Sequence, residues 1–276
     1  MSATDEQAKY DYKSDESMRI DVWDENLHVG YWDGPGDTSD QTLATERLTD
    51  LVLARSGLGA GQHLLDVGCG MGKPARRAAT ETGCSVSGVS DSDTQVERAN
   101  EGAVAAGIAG RVGFQTADAT QELPFPDAHF DVAWAIESLV HMTDRARALA
   151  HVARTLKPGG LLVATDFFTH PPLTGARADA VDAFRGVALL GPIVSLDDYP
   201  ALLRTTGFEL REFVDLTEHT HRTYALLLQA LRDNEADLRA QHGDAVFDGF
   251  VTAFAYCVES LEPRYMLYVA RRVADR

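Results

Sequence analysis

The residues best suited to chemistry in this chain form one short stretch, in which Asp66 is followed by Gly68, Gly70 and Gly72. An apolar run precedes them, and a helix is predicted to begin at Lys73. Glycine lets a backbone turn sharply and approach a ligand closely, and the first N–H groups of a helix point at whatever lies there. A carboxylate at this turn suits an ammonium group, so the stretch predicts a ligand cradle.

Two other interpretations of this glycine turn compete with a site for an ammonium-bearing ligand. A dinucleotide-binding turn reads Gly-x-Gly-x-x-Gly and holds a pyrophosphate. Here the third glycine comes one residue early, and the Asp66 carboxylate would repel a pyrophosphate. A glycine-rich turn that serves packing alone is the other alternative. The strand before the turn and the acid at its end favour a cofactor site.

A second set of chemical groups follows later strands. His141 comes soon after a predicted strand at 130–134, and Asp166 lies near the end of the next strand, at 161–167. Histidine can take a proton near neutral pH, and a carboxylate beside it could orient its ring. We therefore predict that His141 is a base and Asp166 its orienter, with His170 a weaker candidate.

The elements that position these groups alternate along the chain. Strands separated by helices of this length predict a parallel sheet, in which ligands bind at the carboxyl ends of the strands. Strands are predicted at 62–67, 84–89, 112–117, 130–134, 161–167, 208–214 and 264–270. Helices are predicted from a cap at Ser39 or Asp40 through about Arg55 and at 73–82, 92–107 and 143–156, with a helical stretch at 219–241. We expect four parts: an N-terminal arm or lid at 1–37, a core at 38–170, an inserted cap at 171–205 and C-terminal strands with a helical element at 206–276.

Composition narrows the class of protein. The 276 residues carry a formal net charge of −17, and a nucleic-acid binder needs a basic face. No apolar run approaches the roughly 20 residues of a membrane span, and the polar N-terminus is unlike a signal peptide. Three cysteines and the histidine spacing indicate neither a disulfide framework nor a metal site. We expect a cytoplasmic protein that binds neither nucleic acid nor membrane.

The motifs together resemble one family. The chain is similar to the small-molecule class I S-adenosylmethionine (SAM) methyltransferases of bacterial secondary metabolism, including sugar O-methyltransferases of natural product and antibiotic biosynthesis. Sterol and prenyl C-methyltransferases resemble it more loosely. The matching stretches are residues 25–32, 65–70, 72–74, 135–139, 141–142 and 164–167.

The resemblance implies an α/β, Rossmann-like sheet of seven strands with the last antiparallel, helices on both faces, and a lid at 20–32 that closes over SAM. It implies that Tyr31, Trp32 and Glu137 contact SAM, as do Asp66 and the glycines. His141 and Asp166 match positions that serve acceptor deprotonation. The sugar enzymes carry a histidine pair here, whereas this chain has Val140 before His141, which implies a more apolar acceptor.

The nucleoside of SAM needs two further partners. The resemblance implies an adenine contact at Asp118 and Ala119. The family usually has an acid at the position of Ser90 for the ribose hydroxyls. This chain departs from that pattern, so Ser90 or Gln95 is expected to serve, with Ser92 and Asp91 as alternatives.

We therefore expect O-methylation of a small, largely apolar acceptor, with S-adenosylhomocysteine as the second product. The alternatives are C-methylation of a prenyl or alkene carbon, coupled or not to cyclisation, or a SAM-binding cyclase that transfers no methyl group. A nicotinamide dehydrogenase fits the turn less well. Aromatic side chains compatible with C-methylation are Phe247, Phe250, Phe254 and Tyr256. The N-terminal arm could also dock on a second copy of the chain.

Overall fold

A computed structural model describes residues 25–171 and 173–273 of this chain. It is an α/β fold around one mixed sheet. The strands are β1 (His63–Val67), β2 (Ser85–Ser90), β3 (Val112–Thr116), β4 (Phe130–Ile136), β5 (Leu156–Thr169), β6 (Val194–Ser195), β7 (Phe208–Asp215) and β8 (Arg264–Arg272). The helices are α1 (Gln41–Ser56), α2 (Lys73–Thr82), α3 (Asp93–Ala105), α4 (Arg145–Thr155), α5 (Ala176–Val187), α6 (Tyr199–Thr205), α7 (Thr217–Thr220), α8 (Arg222–Asp233), α9 (Glu235–His242) and α10 (Asp244–Ser260), with a 3-10 turn at Leu139–His141.

The order of strands in the sheet is β3-β2-β1-β4-β5-β8-β7. Strands β1 to β5 pair in parallel, and β8 pairs antiparallel with both β5 and β7. This confirms the predicted Rossmann-like sheet with an antiparallel last strand. The prediction of seven strands misses β6, two residues that pair with β5 beside the main path. So short a strand leaves no periodic signal in the sequence.

Both faces of the sheet are covered because side chains alternate along each strand. In β1, Leu64 packs with α1, α2 and α3, while Leu65 packs on the opposite face with α4 and α6. The C-terminal helices α8 and α10 extend the first of these layers. Helices therefore lie on both faces, as predicted. Within 171–205, the segment expected to form a cap, α6 belongs to the core: its Tyr199 and Leu203 are buried against the sheet.

The helix boundaries follow local signals. Asp40 caps α1 by accepting a hydrogen bond from the Leu43 N–H at 2.8 Å. The helical stretch predicted at 219–241 is confirmed and consists of three helices, α7, α8 and α9. Asn234 ends α8, with its side-chain amide donating to the Ala230 carbonyl. Such side-chain bonds compete with helix continuation, and the apolar periodicity alone does not reveal them.

The segment from Glu25 to Trp32, called the lid here, lies against α1 and α7–α8. The Asn26 amide donates to Thr45, and the Gly30 N–H donates to Thr223. Residues 20–24 of the lid expected at 20–32, and the part of the arm before them, lie outside the described residues. Among the helices that are described, none has the length and apolar character to cross a membrane.

Candidate active site

The carboxyl ends of β1, β2, β3 and β4 open into a cleft of about 430 Å³, within the size range of small-molecule sites. Parallel strands bring these ends to one edge, so residues far apart in sequence meet there. Of the residues predicted to form the site, the cleft is lined by Asp66, Gly68, Gly70, Ser90, Gln95, Asp118, Ala119, Glu137 and His141. Gly72, Tyr31, Trp32 and Asp166 are not among its lining residues.

The glycines of the turn line the cleft at Gly68 and Gly70, and two of them, Gly68 and Gly72, also allow close packing. Gly68 has φ +76°, and a side chain there would overlap Ser138, whose Oγ would lie 2.9 Å from the added Cβ. The Ser138 hydroxyl donates to the Val67 carbonyl, which ties the end of β4 to the end of β1. A Cβ on Gly72 would meet the Phe114 ring at 2.6 Å. Gly72 therefore serves the packing of α2 rather than the cleft.

The carboxyl group of Asp66 has a strongly raised pKa in the cleft. Its side chain is 2% exposed, and its Oδ2 atom has no hydrogen-bond partner among the described residues. Burial raises the pKa of the Asp66 carboxyl to about 7, and the nearby Trp134 indole acts in the opposite direction. A buried carboxylate costs free energy unless it is paired. The site thus favours a ligand that brings a positive charge to Oδ2.

The end of β2 supplies polar groups for a sugar. The Ser90 hydroxyl donates to the Gln95 side-chain oxygen at 2.8 Å and accepts from the Ser92 N–H at 3.2 Å. Both Ser90 and Gln95 are largely buried at the cleft wall. The Asp91 carboxylate also lies in the lining. Ser92 instead caps α3 through the Gln95 N–H, so the structure separates this capping residue from the cleft-lining ones.

Asp118 and Ala119 follow β3 at the far side of the cleft. One Asp118 oxygen accepts from the backbone N–H of Thr120 at 2.8 Å and from its hydroxyl at 2.7 Å. Ala119 is buried beneath this turn. The carboxylate is thereby held in one orientation at the edge of the cleft.

Glu137 connects the lid to the sheet. Its Oε1 atom accepts from the Val29 N–H and from the Tyr265 hydroxyl, both at 2.7 Å. Tyr265 is fully buried on β8, and burial raises its pKa well above the usual value. The Glu137 backbone has φ +49° and donates to Thr165. Glu137 thus lines the cleft and also anchors the lid, a role that sequence reasoning did not predict.

Tyr31 and Trp32 do not contact the cleft, contrary to expectation. The Tyr31 ring stacks on His219 with centroids 4.7 Å apart. Trp32 is buried, and its indole donates to the Ser39 carbonyl at 3.0 Å. Their role is to pin the lid onto α1 and α7. Sequence reasoning recognised a folded aromatic segment but could not identify which surface the rings meet.

His141 is half-buried and lines the cleft from the 3-10 turn after β4. Its Nδ1 atom lies 3.0 Å from the Leu189 carbonyl oxygen. A carbonyl only accepts, so the proton of this hydrogen bond is on Nδ1. The orienting group of His141 is therefore a backbone carbonyl of the cap.

The expected pairing of Asp166 with His141 is wrong. Asp166 is fully buried. Its oxygens accept from the Tyr199 hydroxyl at 2.5 Å and from the Phe167 N–H at 2.8 Å, and Arg145 lies 3.4 Å away. Burial raises the pKa of Asp166, while Arg145 and the hydrogen bonds oppose that shift. Sequence order placed the two residues at adjacent strand ends, but the direction of each side chain is set by the packing.

Asp166, Tyr199 and Arg145 form a buried cluster, and Arg145 connects this cluster to the turn that carries His141. Its Nε atom donates to the Leu139 carbonyl at 3.2 Å, and Leu139 begins the turn that carries His141. The cluster therefore supports the turn from below, without contact between Asp166 and the imidazole.

Several residues that line the cleft were not predicted from the sequence as site residues. Leu27, Met71 and Met142 line the cleft, and single apolar residues in turns carry no recognisable signal. His28 also lies in the lining, with its ring bonded to the Val29 carbonyl and the Thr49 hydroxyl. Its position in a recognisable block at 25–32 is the signal that could have singled it out.

Comparison with known proteins identifies the family. Residues 65–164 match the model of a methyltransferase domain. The chain is 42% identical over 258 residues to 27-O-demethylrifamycin SV methyltransferase of Amycolatopsis mediterranei (strain S699), which covers 91% of each chain. This chain belongs to the SAM-dependent methyltransferases. The resemblance drawn from its motifs is confirmed, and SAM is its cofactor.

Solved structures of this methyltransferase family share the fold. The [4+2]-cyclase SpnF superposes with a TM-score of 0.83 at 31% identity, covering 98% of this chain and 96% of that chain. The geranyl diphosphate C-methyltransferase of Streptomyces coelicolor A3(2), solved with S-adenosyl-L-homocysteine, has a TM-score of 0.75. It is 18% identical and covers 98% and 97% of the two chains, so it supports the fold alone.

The residues of this methyltransferase fit SAM. The buried, unpartnered Oδ2 of Asp66 is placed to accept from the ammonium group. Ser90, Gln95 and Asp91 line the cleft at the end of β2, where the resemblance implies the ribose, and Asp118 lines it after β3, where the resemblance implies the adenine. The cleft thus has polar groups that suit the ammonium, ribose and adenine parts of the cofactor.

We expect SAM binding to weaken as the pH falls below 7. Without ligand, Asp66 is protonated below its pKa of about 7, and the ammonium group of SAM favours the carboxylate. Binding then requires loss of a proton, so the SAM Kd should rise about tenfold for each pH unit below 7. Calorimetric titration between pH 5.5 and 7.5 measures this. Asp66→Asn should bind more weakly but with a flat profile; a flat profile in the unaltered enzyme would contradict the assignment.

We expect Glu137→Ala to weaken SAM binding. The variant leaves the Val29 N–H and the Tyr265 hydroxyl without their acceptor, so the lid loses its anchor beside the cleft. Loss of a hydrogen bond to a charged group costs about 1.5–3 kcal/mol, which corresponds to a ten- to hundredfold rise in the SAM Kd. Glu137→Gln keeps an oxygen acceptor and should remain close to the unaltered enzyme. Tyr265→Phe separates the strand contact from the lid contact. Unchanged SAM affinity in Glu137→Ala would exclude a role for this anchor.

Proposed function

We propose that this enzyme methylates a hydroxyl oxygen of a small, largely apolar natural product, with His141 as the general base. The observation that carries the proposal is the 42% identity, over nearly the whole chain, to 27-O-demethylrifamycin SV methyltransferase. As its name states, that relative methylates an oxygen. The surroundings of His141 are apolar: Val140 is buried, and Leu190 and Ile193 of the cap are partly buried against the same core cluster.

The geometry of His141 supports a base. With the proton of a neutral imidazole on Nδ1, the lone pair is on Nε2, which can accept the proton of an acceptor hydroxyl. SAM, when bound, supplies a methyl group already activated by its sulfonium. The remaining work of the protein is alignment: Asp66 holds the ammonium end, and Glu137 keeps the lid in place over the cleft. A closed lid also excludes water.

The test uses SAM labelled in its methyl group and a panel of hydroxylated apolar compounds that includes 27-O-demethylrifamycin SV. We expect S-adenosylhomocysteine to form and the label to appear in an O-methyl group, located by mass-spectrometric fragmentation. A label on carbon would contradict O-methylation. The complete lack of S-adenosylhomocysteine with every acceptor, despite SAM binding, would contradict methyl transfer.

A second function has its own support. The [4+2]-cyclase SpnF is 31% identical to this chain and covers 98% of it, so cyclisation without methyl transfer is the supported alternative. C-methylation would need aromatic side chains that face the acceptor. The aromatic residues that would stabilise a carbocation pack largely on one another: Phe254 is buried against Tyr224 and Phe184. Phe247 lies beneath the Arg239 guanidinium. An acceptor isomerised without any gain of mass would favour a cyclase.

A further inference from the structure

The loop at residues 188–191, called the cap loop here, joins α5 to β6 and touches the turn that carries His141 at two points. The Leu189 carbonyl accepts from Nδ1 of His141 at 3.0 Å. Two residues later, the Gly191 N–H donates to the Val140 carbonyl at 2.7 Å. The imidazole and the backbone that carries it are therefore bonded to the same short loop.

The cap loop is held in one conformation. Leu189 has φ +54°, a left-handed conformation that a leucine adopts only where its surroundings impose it. Bonds on both sides impose it: the Leu190 N–H donates to the Arg185 carbonyl, and the Arg185 guanidinium donates to the Gly191 carbonyl, both at 2.9 Å. Arg185 thus ties the loop back to α5.

Gly191 brings the loop close to the turn. It is buried, and an added Cβ would lie 2.8 Å from the Met142 carbonyl oxygen and 3.0 Å from that of Val140. Backbone atoms on the opposite side cannot move away as a flexible side chain could. Any residue other than glycine would therefore push the cap loop away from His141.

We propose that the cap loop sets the tautomer of His141: the Leu189 carbonyl keeps the proton on Nδ1, and Gly191 and Arg185 are the positioning residues that hold that carbonyl in place. The inference rests on the proposed role of His141 as base. A carboxylate was expected to orient the ring, and a backbone carbonyl takes that role.

The test compares two glycines of the cap in enzyme carrying ¹⁵N-labelled histidine. Gly191→Ala should shift the His141 nitrogen signals towards the Nε2-protonated tautomer and lower kcat by about ten- to a hundredfold, the cost of a small misplacement. The SAM Kd should stay unchanged. Gly186→Ala is the matched control, because an added Cβ there meets no atom within 4 Å; its spectra and kcat should equal those of the unaltered enzyme.

A second pair of variants covers the possibility that Gly191→Ala does not fold. Arg185→Leu removes the donor to the Gly191 carbonyl, whereas Asp182→Asn removes only the exposed ion-pair partner of Arg185. Arg185→Leu should shift the tautomer and Asp182→Asn should not. An unchanged tautomer in folded Arg185→Leu or Gly191→Ala overturns the inference. A shifted tautomer with unchanged kcat supports the loop's hold on His141 and overturns His141 as the base, so the two ideas fail separately.

Discussion

Replacing His141 by alanine is expected to lower kcat by about 10²–10⁴-fold, the usual contribution of a general base. The physical reason is that no group replaces the lone pair on Nε2 that would accept the hydroxyl proton. The SAM Kd should hold, because Asp66, Glu137 and the glycine turn are untouched. Single-turnover measurements with saturating SAM separate the chemical step from binding, and calorimetry gives the Kd.

The control for this variant is another histidine of the same region. His170 is exposed beyond the end of β5 and packs edge-on against Phe168. His170→Ala should leave kcat within about twofold, since surface substitutions rarely perturb a site. A kcat for His141→Ala close to that of the unaltered enzyme would remove His141 from the mechanism.

Replacing Gly68 by alanine is expected to destabilise the fold by about 2–5 kcal/mol, of which roughly 1–2 kcal/mol is backbone strain and the rest steric overlap. Gly68 has φ +76°, and the new Cβ would overlap the side chain of Ser138. A single domain is stable by only about 5–15 kcal/mol. The folded fraction at growth temperature and the affinity for SAM should therefore both fall. Urea unfolding followed by circular dichroism measures the free energy of unfolding.

Two variants separate strain from overlap at Gly68. Gly61 also has a positive φ, at +84°, but open space around its missing Cβ, so Gly61→Ala reports the backbone strain alone. The double variant Gly68→Ala with Ser138→Gly removes the overlapping atoms and should recover part of the lost stability. Equal losses for Gly61→Ala and Gly68→Ala would show that contact with Ser138 does not constrain the turn.

Much of the fold follows from local patterns. The parallel strands and α1, α2, α3 and α4 lie within a few residues of their predicted positions, because alternating burial and helix caps are local signals. The glycine turn and Asp66 were recognised for the same reason: motif and strand are contiguous in sequence. The helical stretch predicted at 219–241 is confirmed, but its division into α7, α8 and α9 was not foreseen, because side-chain bonds at Asn234 interrupt a continuous apolar pattern.

The candidate site was predictable where each residue lies at a strand end, since parallel strands bring those ends together. It was not predictable where a contact depends on side-chain direction. Asp166 lies on the strand beside the one that leads to His141, yet its carboxylate is bonded to Tyr199 and lies near Arg145. Tyr31 and Trp32 lie in the lid as expected but face α1 and α7 instead of the cleft.

The sequence by itself determined the methyl donor and the sheet that holds it. The Asp66–Gly72 turn and the alternating elements are contiguous patterns with their own physical signal, whereas the blocks around Glu137 and His141 point to SAM through their resemblance to a known family. Only the tertiary structure decided how the base is oriented and how the lid is anchored. Those contacts join residues far apart in the chain, such as His141 to Leu189 and Val29 to Glu137. Two of them use backbone groups, which every residue possesses and no sequence pattern can mark.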